Sequence, residues 1–168
     1  ISHVRFENRV LSQSFAFDWL GNTTATDDDA HGFYDRSLGG ITNTSAANNN
    51  GKAYQLTAAS QTGPKGGSLQ AQYDVTGNLT DLSVVRAGDC LPLGSLCSQR
   101  FRYDWDEVGR LVRARRWDTP DPQVLDPDTA GKSFAADLRH AYDHGDNRVL
   151  KTAVDPSKLQ SHTAYIFG

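Results

Sequence analysis

Short segments in which apolar and polar residues alternate run along the chain, separated by Gly, Asn, Asp, Ser, Thr and Pro. Alternation with a period of two is typical of strands that bury one face. In the segment 100–105, for example, Phe101, Tyr103 and Trp105 fall on one face and charged residues on the other. No window longer than about ten residues has the period of an amphipathic helix. The pattern therefore predicts an all-β, helix-poor fold.

One motif follows four of these segments: an aromatic residue, Asp, two variable residues, a turn residue, and then Asn or Arg. The copies lie near residues 15–24, 71–80, 101–112 and 140–150. We interpret each copy as an antiparallel hairpin in which the Asp carboxylate binds the backbone two residues on and Gly supplies a positive φ. In the fourth copy Asp146 replaces Gly, which Asp tolerates better than most residues. The motif residues are Phe17, Asp18, Gly21, Tyr73, Asp74, Gly77, Asn78, Trp105, Asp106, Gly109, Arg110, Tyr142, Asp143 and Asn147.

Polar stretches separate the motifs unevenly. We expect residues 27–67, 88–98 and 118–131 to be loop insertions on the outside of a repeated sheet. A length of 168 residues predicts one domain, 1–168. Because the sequence begins without Met and closes on the strand-like stretch 163–168, we expect a fragment of a longer polypeptide.

Composition and charge bear on three questions: nucleic-acid binding, membrane insertion and disulfide formation. Seventeen basic and twenty acidic residues give a net charge of −3, which disfavours nucleic acid as a partner. The apolar runs are far shorter than the roughly 20 residues that span a bilayer. The two cysteines, Cys90 and Cys97, flank a turn-rich stretch, and their spacing fits either a disulfide in an exported protein or two unpaired thiols.

The polar residues do not form a pattern typical of catalysis or metal binding. Each repeated Asp belongs to its own hairpin, whereas paired-carboxylate chemistry needs two within roughly 5 to 10 Å. Arg113 and Arg115 fall on one strand face and Arg116 on the other, which favours pairing with acidic residues over a nucleic-acid surface. The acidic residues 27–29 with Asp35 lack the spacing of a calcium site, and so do Asp121, Asp126 and Asp128; the five histidines lack that of a zinc site. We therefore predict no catalytic residue, cofactor or metal.

The repeated motif resembles the hallmark of the YD-repeat, or Rhs, family of very large bacterial proteins, which is Tyr-Asp-x-x-Gly-Arg/Asn-Leu. The copies that begin at Tyr73 and Trp105 match it well and end in Leu79 and Leu111. The first copy has Phe17 in place of Tyr and Thr23 in place of Leu. Together the four copies span nearly the whole chain, and each ends an alternating strand.

The resemblance implies a shell. Members of this family wind their hairpins into one spiralling antiparallel sheet that closes into a hollow cocoon around a C-terminal toxic domain, as in Tc-type and polymorphic toxins. Related repeats build the extracellular barrel of teneurins. The resemblance thus implies a non-catalytic structural segment of a secreted or cell-surface toxin-type protein. Its implied partners are the rest of its own polypeptide, an encapsulated toxin domain and other toxin-complex subunits.

Two other function classes stay open. One is a cell-surface adhesion or carbohydrate-binding module, in which the loops 27–51 and 118–131 meet a partner such as surface glycans. The aromatic residues that could stack on a sugar are Phe17, Trp19, Tyr73, Tyr103, Trp105 and Tyr142. The other is a self-cleaving aspartyl-protease region, which family shells carry as Asp-Pro followed shortly by Gly-Leu. The nearest string is 125–131, which contains Asp126, but Lys132 stands where Leu is expected. No catalytic role is therefore carried over to it.

Overall fold

The computed structural model describes residues 10–33, 37–44, 54–87, 98–119, 134–155 and 157–166. These residues form one open antiparallel sheet of eleven strands, in which the spatial order follows the chain from first to last. They contain no helix, so the all-β prediction is confirmed, and nothing in this part of the chain is a helical membrane span. The strands are β1 (Gln13–Phe17), β2 (Thr23–Asp28), β3 (Gly39–Asn43), β4 (Leu56–Gln61), β5 (Gly67–Tyr73), β6 (Leu79–Arg86), β7 (Gln99–Trp105), β8 (Leu111–Asp118), β9 (Ala136–Tyr142), β10 (Arg148–Val154) and β11 (Gln160–Ala164).

Each of the four motifs joins two neighbouring strands, as predicted. The hairpins are β1–β2, β5–β6, β7–β8 and β9–β10. Because every strand is antiparallel to the next, turns that lead from an odd to an even strand all lie along the same row of strand ends. We call this row the motif rim, and the opposite row of strand ends the far rim. A consecutive antiparallel order therefore brings four distant motifs to one side of the molecule.

The stretch 27–67 is not a loop insertion, contrary to the prediction from its polar composition. It contains β3 and β4, which pair with each other and extend the sheet between β2 and β5. Gly67, which begins β5, resembles a turn residue in sequence, yet here it makes room for the Phe33 ring. A Cβ atom on Gly67 would overlap that ring. The other two predicted insertions lie largely outside the described residues, and so do Cys90 and Cys97.

An apolar core lies on one face of the sheet, where residues opposite one another in the strand register meet. Phe33, Ala59, Leu69 and Val84 are buried there. Leu69 is opposite both Ala59 and Val84, so three strands contribute to one row. The partly buried residues packed on this row are Leu38, Ile41, Leu56, Leu82 and Phe101. Burial of this face fixes the register of the central strands, because a slip by one residue would expose it.

Ion pairs cover the other face from β6 to β9. Arg100 binds Asp81 (2.7 Å), and Arg115 binds Asp104 (2.8 Å) across neighbouring strands. The carboxylate of Asp137, which is only 2% exposed, binds Arg113 at 2.8 Å and Arg139 at 3.1 Å. Burial raises the pKa of Asp137, but the hydrogen bonds from Arg113 and Arg139 outweigh burial and bring it below its usual value. The prediction that the arginines pair with acidic residues is confirmed.

Candidate functional site

The four motif turns are built from the same set of hydrogen bonds. In the second copy, Asp74 Oδ1 accepts from the backbone N–H of Thr76 and of Asn78, each at 2.9 Å, and Oδ2 accepts from Asn78 Nδ2 at 3.0 Å. The Asp74 N–H donates to the Asn78 carbonyl at 2.9 Å and closes the loop. The corresponding bonds recur at Asp18, Asp106 and Asp143.

The turn residue of the motif takes a left-handed backbone conformation in all four copies. Its φ is +87° at Gly21, +97° at Gly77, +81° at Gly109 and +64° at Asp146. The register shifts beside each turn, which places the motif aromatic opposite the residue six positions later. The prediction that this position needs a positive φ is confirmed. Asp146 adopts the same conformation as the glycines of the other three copies, as predicted.

The turn carboxylates stay ionised because the backbone and side chains bind them. Hydrogen bonds from the Thr76 side chain and from Asn78 lower the pKa of Asp74 to about 2. The pKa of Asp18 is lowered chiefly by the Asn22 side chain, and that of Asp143 by the side chain of Asn147. At Asp106 the largest contribution comes from the backbone N–H of Arg110. These groups act as turn acceptors, with their oxygen atoms already bound.

Three of the four motif aromatics link their hairpin to the strand before it. Tyr73 Oη donates to the Leu56 carbonyl at 2.8 Å, Trp105 Nε1 to the Leu79 carbonyl at 2.7 Å, and Tyr142 Oη to the Leu111 carbonyl at 2.9 Å. Leu79 and Leu111 are the residues that begin β6 and β8 after the preceding motif turns. The sequence predicts that these aromatics are buried by packing, but it does not reveal their polar role, since strand pairing alone decides which carbonyl each one meets.

Arg110 joins the third and fourth turns directly. Its Nε donates to Asp106 Oδ2 within its own turn at 2.7 Å, while its Nη1 donates to Asp146 Oδ1 at 2.8 Å. The guanidinium group also lies 5.2 Å from the centre of the Tyr142 ring, within cation–π range. Arg110 therefore connects the third and fourth motif turns along the motif rim.

A fifth turn of the same type connects β10 and β11 on the far rim, and the sequence motif does not reveal it. The Asp155 N–H donates to the Leu159 carbonyl at 3.0 Å, and Asp155 Oδ1 accepts from the Leu159 N–H at 2.9 Å. Lys158 takes the left-handed position, with φ +66°. Val154 stands where the other turns have an aromatic residue. Asp followed by Pro, a pair typical of turns, was the signal available in the sequence.

The aromatics considered for glycan stacking differ in exposure. Tyr73, Trp105 and Tyr142 are partly buried between hairpins. Phe17 is 60% exposed, and Trp19, at the tip of the first turn, is 90% exposed. The first hairpin thus presents aromatic surface that the other three do not.

The remaining sequence candidates do not converge on a site in the part of the chain that the structure describes. No group of three His, Cys, Asp or Glu side chains there could hold a metal ion. Asp27, near the end of β2, binds the ring of His31 in the turn that follows (3.1 Å) and Gln61 of β4 (3.0 Å). Burial, Arg148 and Lys151 lower the pKa of His140. Further candidates, namely His3, Asp35, Asp121, Asp126 and Asp128, lie outside the described residues.

Comparison with family models and with curated proteins finds no match to this chain. The resemblance to YD repeats therefore rests on the motif residues of the sequence alone.

Proposed function

We propose that this chain is a non-catalytic structural segment of a large bacterial YD-repeat, or Rhs, toxin-type protein. In this role its hairpins build part of a β-sheet cocoon that encloses a C-terminal toxic domain. The protein would be secreted or displayed on the bacterial surface. Its partners would be the further repeats and the enclosed domain of its own polypeptide.

The observation that carries this proposal is the repetition of one turn and one link. Four hairpins share the same carboxylate-centred turn, and three motif aromatics donate to the preceding strand. Such a unit specifies both how a hairpin closes and where it docks on its predecessor. Repeated units that each contact only their neighbours build extended walls.

The state of the polar groups also favours a structural role. Each motif carboxylate accepts several hydrogen bonds within its own turn, and the arginines on the opposite sheet face bind carboxylates of neighbouring strands. Groups held in this way stiffen a sheet. A catalytic acid or base, in contrast, must exchange its proton with a substrate inside one pocket.

Protease protection of the longer polypeptide tests the proposal. We expect the domain that follows the repeats to resist protease in the wild type and to be cut after the substitution Gly109→Val, because a β-branched residue is strained at φ +81°. Val108→Thr, an exposed substitution in the same turn, serves as the matched control and should preserve protection.

Equal cutting of that domain in wild type and Gly109→Val would contradict encapsulation. A polypeptide with no domain beyond its repeats would contradict it as well, while leaving the sheet assignment untouched.

Carbohydrate binding is a second candidate, favoured by the exposure of Trp19. An indole ring that stands clear of the surface can stack on a sugar face. A glycan array probed with the wild type and with Trp19→Ala tests this candidate. Signals that disappear in the variant would support it, and a negative array with folded wild type would exclude it.

A further inference from the structure

Two positions meet wherever one hairpin packs beside the next along the motif rim. One is the residue just before an even-numbered strand, and the other is the left-handed residue of the following motif turn. The residues just before β4, β6 and β8 are Gln55, Asn78 and Arg110. A Cβ atom on Gly77 would lie 3.4 Å from Gln55 Nε2, and one on Gly109 would lie 3.9 Å from Asn78 Oδ1. At the third junction Arg110 Nη1 donates to Asp146 Oδ1 at 2.8 Å.

The residue types at these junctions are matched. Among the four motif copies, only the third ends in Arg, and only the fourth, which follows it, has Asp at the left-handed position. Asp146 has φ +64°, a conformation that glycine adopts without strain and that Asp adopts at a cost. The bond from Arg110 offsets that cost. The exception to glycine therefore occurs at the one junction that supplies a cation.

An asparagine at the end of a motif leaves no donor for the next turn. Asn78 Nδ2 donates to Asp74 Oδ2 at 3.0 Å and to Thr76 Oγ1 at 2.9 Å. Because an amide nitrogen has two hydrogens, both are used within the turn, and the amide oxygen is what faces Gly109. A carboxylate placed at residue 109 would meet this oxygen, and no hydrogen bond would form.

Arginine has enough donors and enough length for two turns. Arg110 Nε donates to Asp106 Oδ2 at 2.7 Å and so makes the bond that Asn78 makes in its own turn. Nη1 remains for Asp146 of the next turn. The side chains of Arg110 and Asp146 are 30% and 73% exposed, so solvent screens the pair and its contribution to stability is modest. Selection between neighbours needs only that the wrong combination costs more than the right one.

We propose that the last residue of one motif and the left-handed residue of the next form a specificity pair, which determines which hairpins pack side by side. Arg110 and Asp146 are the pair that joins β7–β8 to β9–β10. A motif that ends in an amide accepts glycine in the next turn and disfavours a carboxylate. The partner that Arg110 recognises is thus a hairpin with a carboxylate at its left-handed position. This inference goes beyond the proposed function and does not depend on it.

Transfer of the pair to the preceding junction tests the proposal by urea unfolding of the full chain at low ionic strength. Gly109→Asp alone should raise the unfolding equilibrium constant by about fivefold or more, because Asp is strained there and faces an amide oxygen. Addition of Asn78→Arg should lower the constant again by about two- to fivefold. In the wild-type background the same Asn78→Arg should change it little.

Asn147→Arg is the matched control for this rescue. It makes the same replacement at the last position of the fourth motif, where Asn147 Nδ2 binds Asp143 Oδ2 at 3.2 Å. Residue 147 follows the fourth turn and does not belong to the junction that faces Gly109. Combined with Gly109→Asp, it should therefore give no recovery.

A cycle at the natural pair gives an independent measurement. Arg110→Asn restores the residue found in the other three motifs, and Asp146→Asn removes the charge while keeping a residue that tolerates positive φ. We expect the two substitutions to be non-additive, by about two- to fivefold in the unfolding equilibrium constant. The coupling should shrink as salt is added, since salt screens exposed charges.

Three outcomes would overturn the proposal. The first is no recovery of Gly109→Asp by Asn78→Arg, and the second is equal recovery by Asn147→Arg. The third is additivity of Arg110→Asn and Asp146→Asn at low ionic strength. If Gly109→Asp does not fold, the cycle at Arg110 and Asp146 decides, because neither of its substitutions places a side chain on a glycine.

Discussion

The turns at Asp106 and Asp155 are made in the same way but are used differently. In both, the Asp N–H donates to the carbonyl four residues on, and the carboxylate accepts from the N–H of that residue. The Asp106 turn also carries Trp105, which binds the preceding hairpin, and Arg110, which binds the following one. The Asp155 turn has Val154 and Leu159 at these two positions and lies on the far rim.

This difference separates two functions within the repeated motif. The loop closes without the motif aromatic and without the Asn or Arg, since the Asp155 turn has neither. The aromatic residue and the Asn or Arg serve connections, either to the carboxylate or to a neighbouring hairpin. A sequence that contains the complete motif therefore indicates a hairpin that packs on neighbouring hairpins. The Asp turn by itself indicates only that a hairpin is present.

Substitution of the left-handed glycine should have the largest effect. Gly109→Val forces a β-branched residue to φ +81°, and we expect a loss of about 2 to 3 kcal/mol in the free energy of unfolding. Gly77→Val, at φ +97°, should behave alike. Urea unfolding followed by circular dichroism measures the loss, with Val108→Thr as the control. Unchanged stability in both glycine variants would contradict the turn assignment.

Removal of one docking bond should have a smaller effect. Tyr142→Phe keeps the ring but deletes the hydroxyl that donates to the Leu111 carbonyl, and we expect a loss of about 1 kcal/mol. Tyr54→Phe is the matched control, because Tyr54 is 57% exposed. The same urea titration compares them. If both variants lose equally, the hydroxyl of Tyr142 does not connect hairpins.

Acid should weaken the motif turns. The pKa of Asp74 is about 2 in the folded chain and near 4 when unfolded, so its stabilisation is complete above about pH 4 and is lost as the pH falls toward 2. Asp74→Asn should therefore reduce the loss of stability over this interval, by an amount that solvent screening keeps small. Melting temperatures of wild type and variant at a series of pH values measure it. Identical slopes would show that Asp74 is not bound as an anion.

The smallest effect is expected in the Asp155 turn. Lys158 has φ +66°, where glycine is favoured, so Lys158→Gly relieves strain while making the unfolded chain more flexible. The two contributions oppose each other, and we expect a gain below about 1 kcal/mol. Thermal unfolding should show a slight rise in melting temperature. A clear fall would indicate that the lysine side chain, rather than the backbone, holds this turn.

Much of the fold could be predicted because hairpins are local. The period-two pattern identified β7 and its aromatic face, and the Asp and Gly positions located four turns from residues adjacent in sequence. The strands β3 and β4 were not predicted, since apart from Ile41 and Leu56 their residues are polar or small. They are strands because they pair between β2 and β5. The Asp155 turn was not predicted, because neither Val154 nor Lys158 resembles the motif.

The sequence by itself determined the elements that depend on neighbours along the chain: alternation of faces, the aspartate turns and their left-handed residues. Tertiary structure alone decided what depends on strands brought together from afar. Strand pairing determines that Trp105 donates to the Leu79 carbonyl and that the buried Asp137 binds two arginines. It also determines that Phe15 and Phe17 are exposed. The physical reason is that a turn closes through bonds within a few residues, whereas a partner across the sheet is set by register, which the connecting stretches leave free until the faces pack.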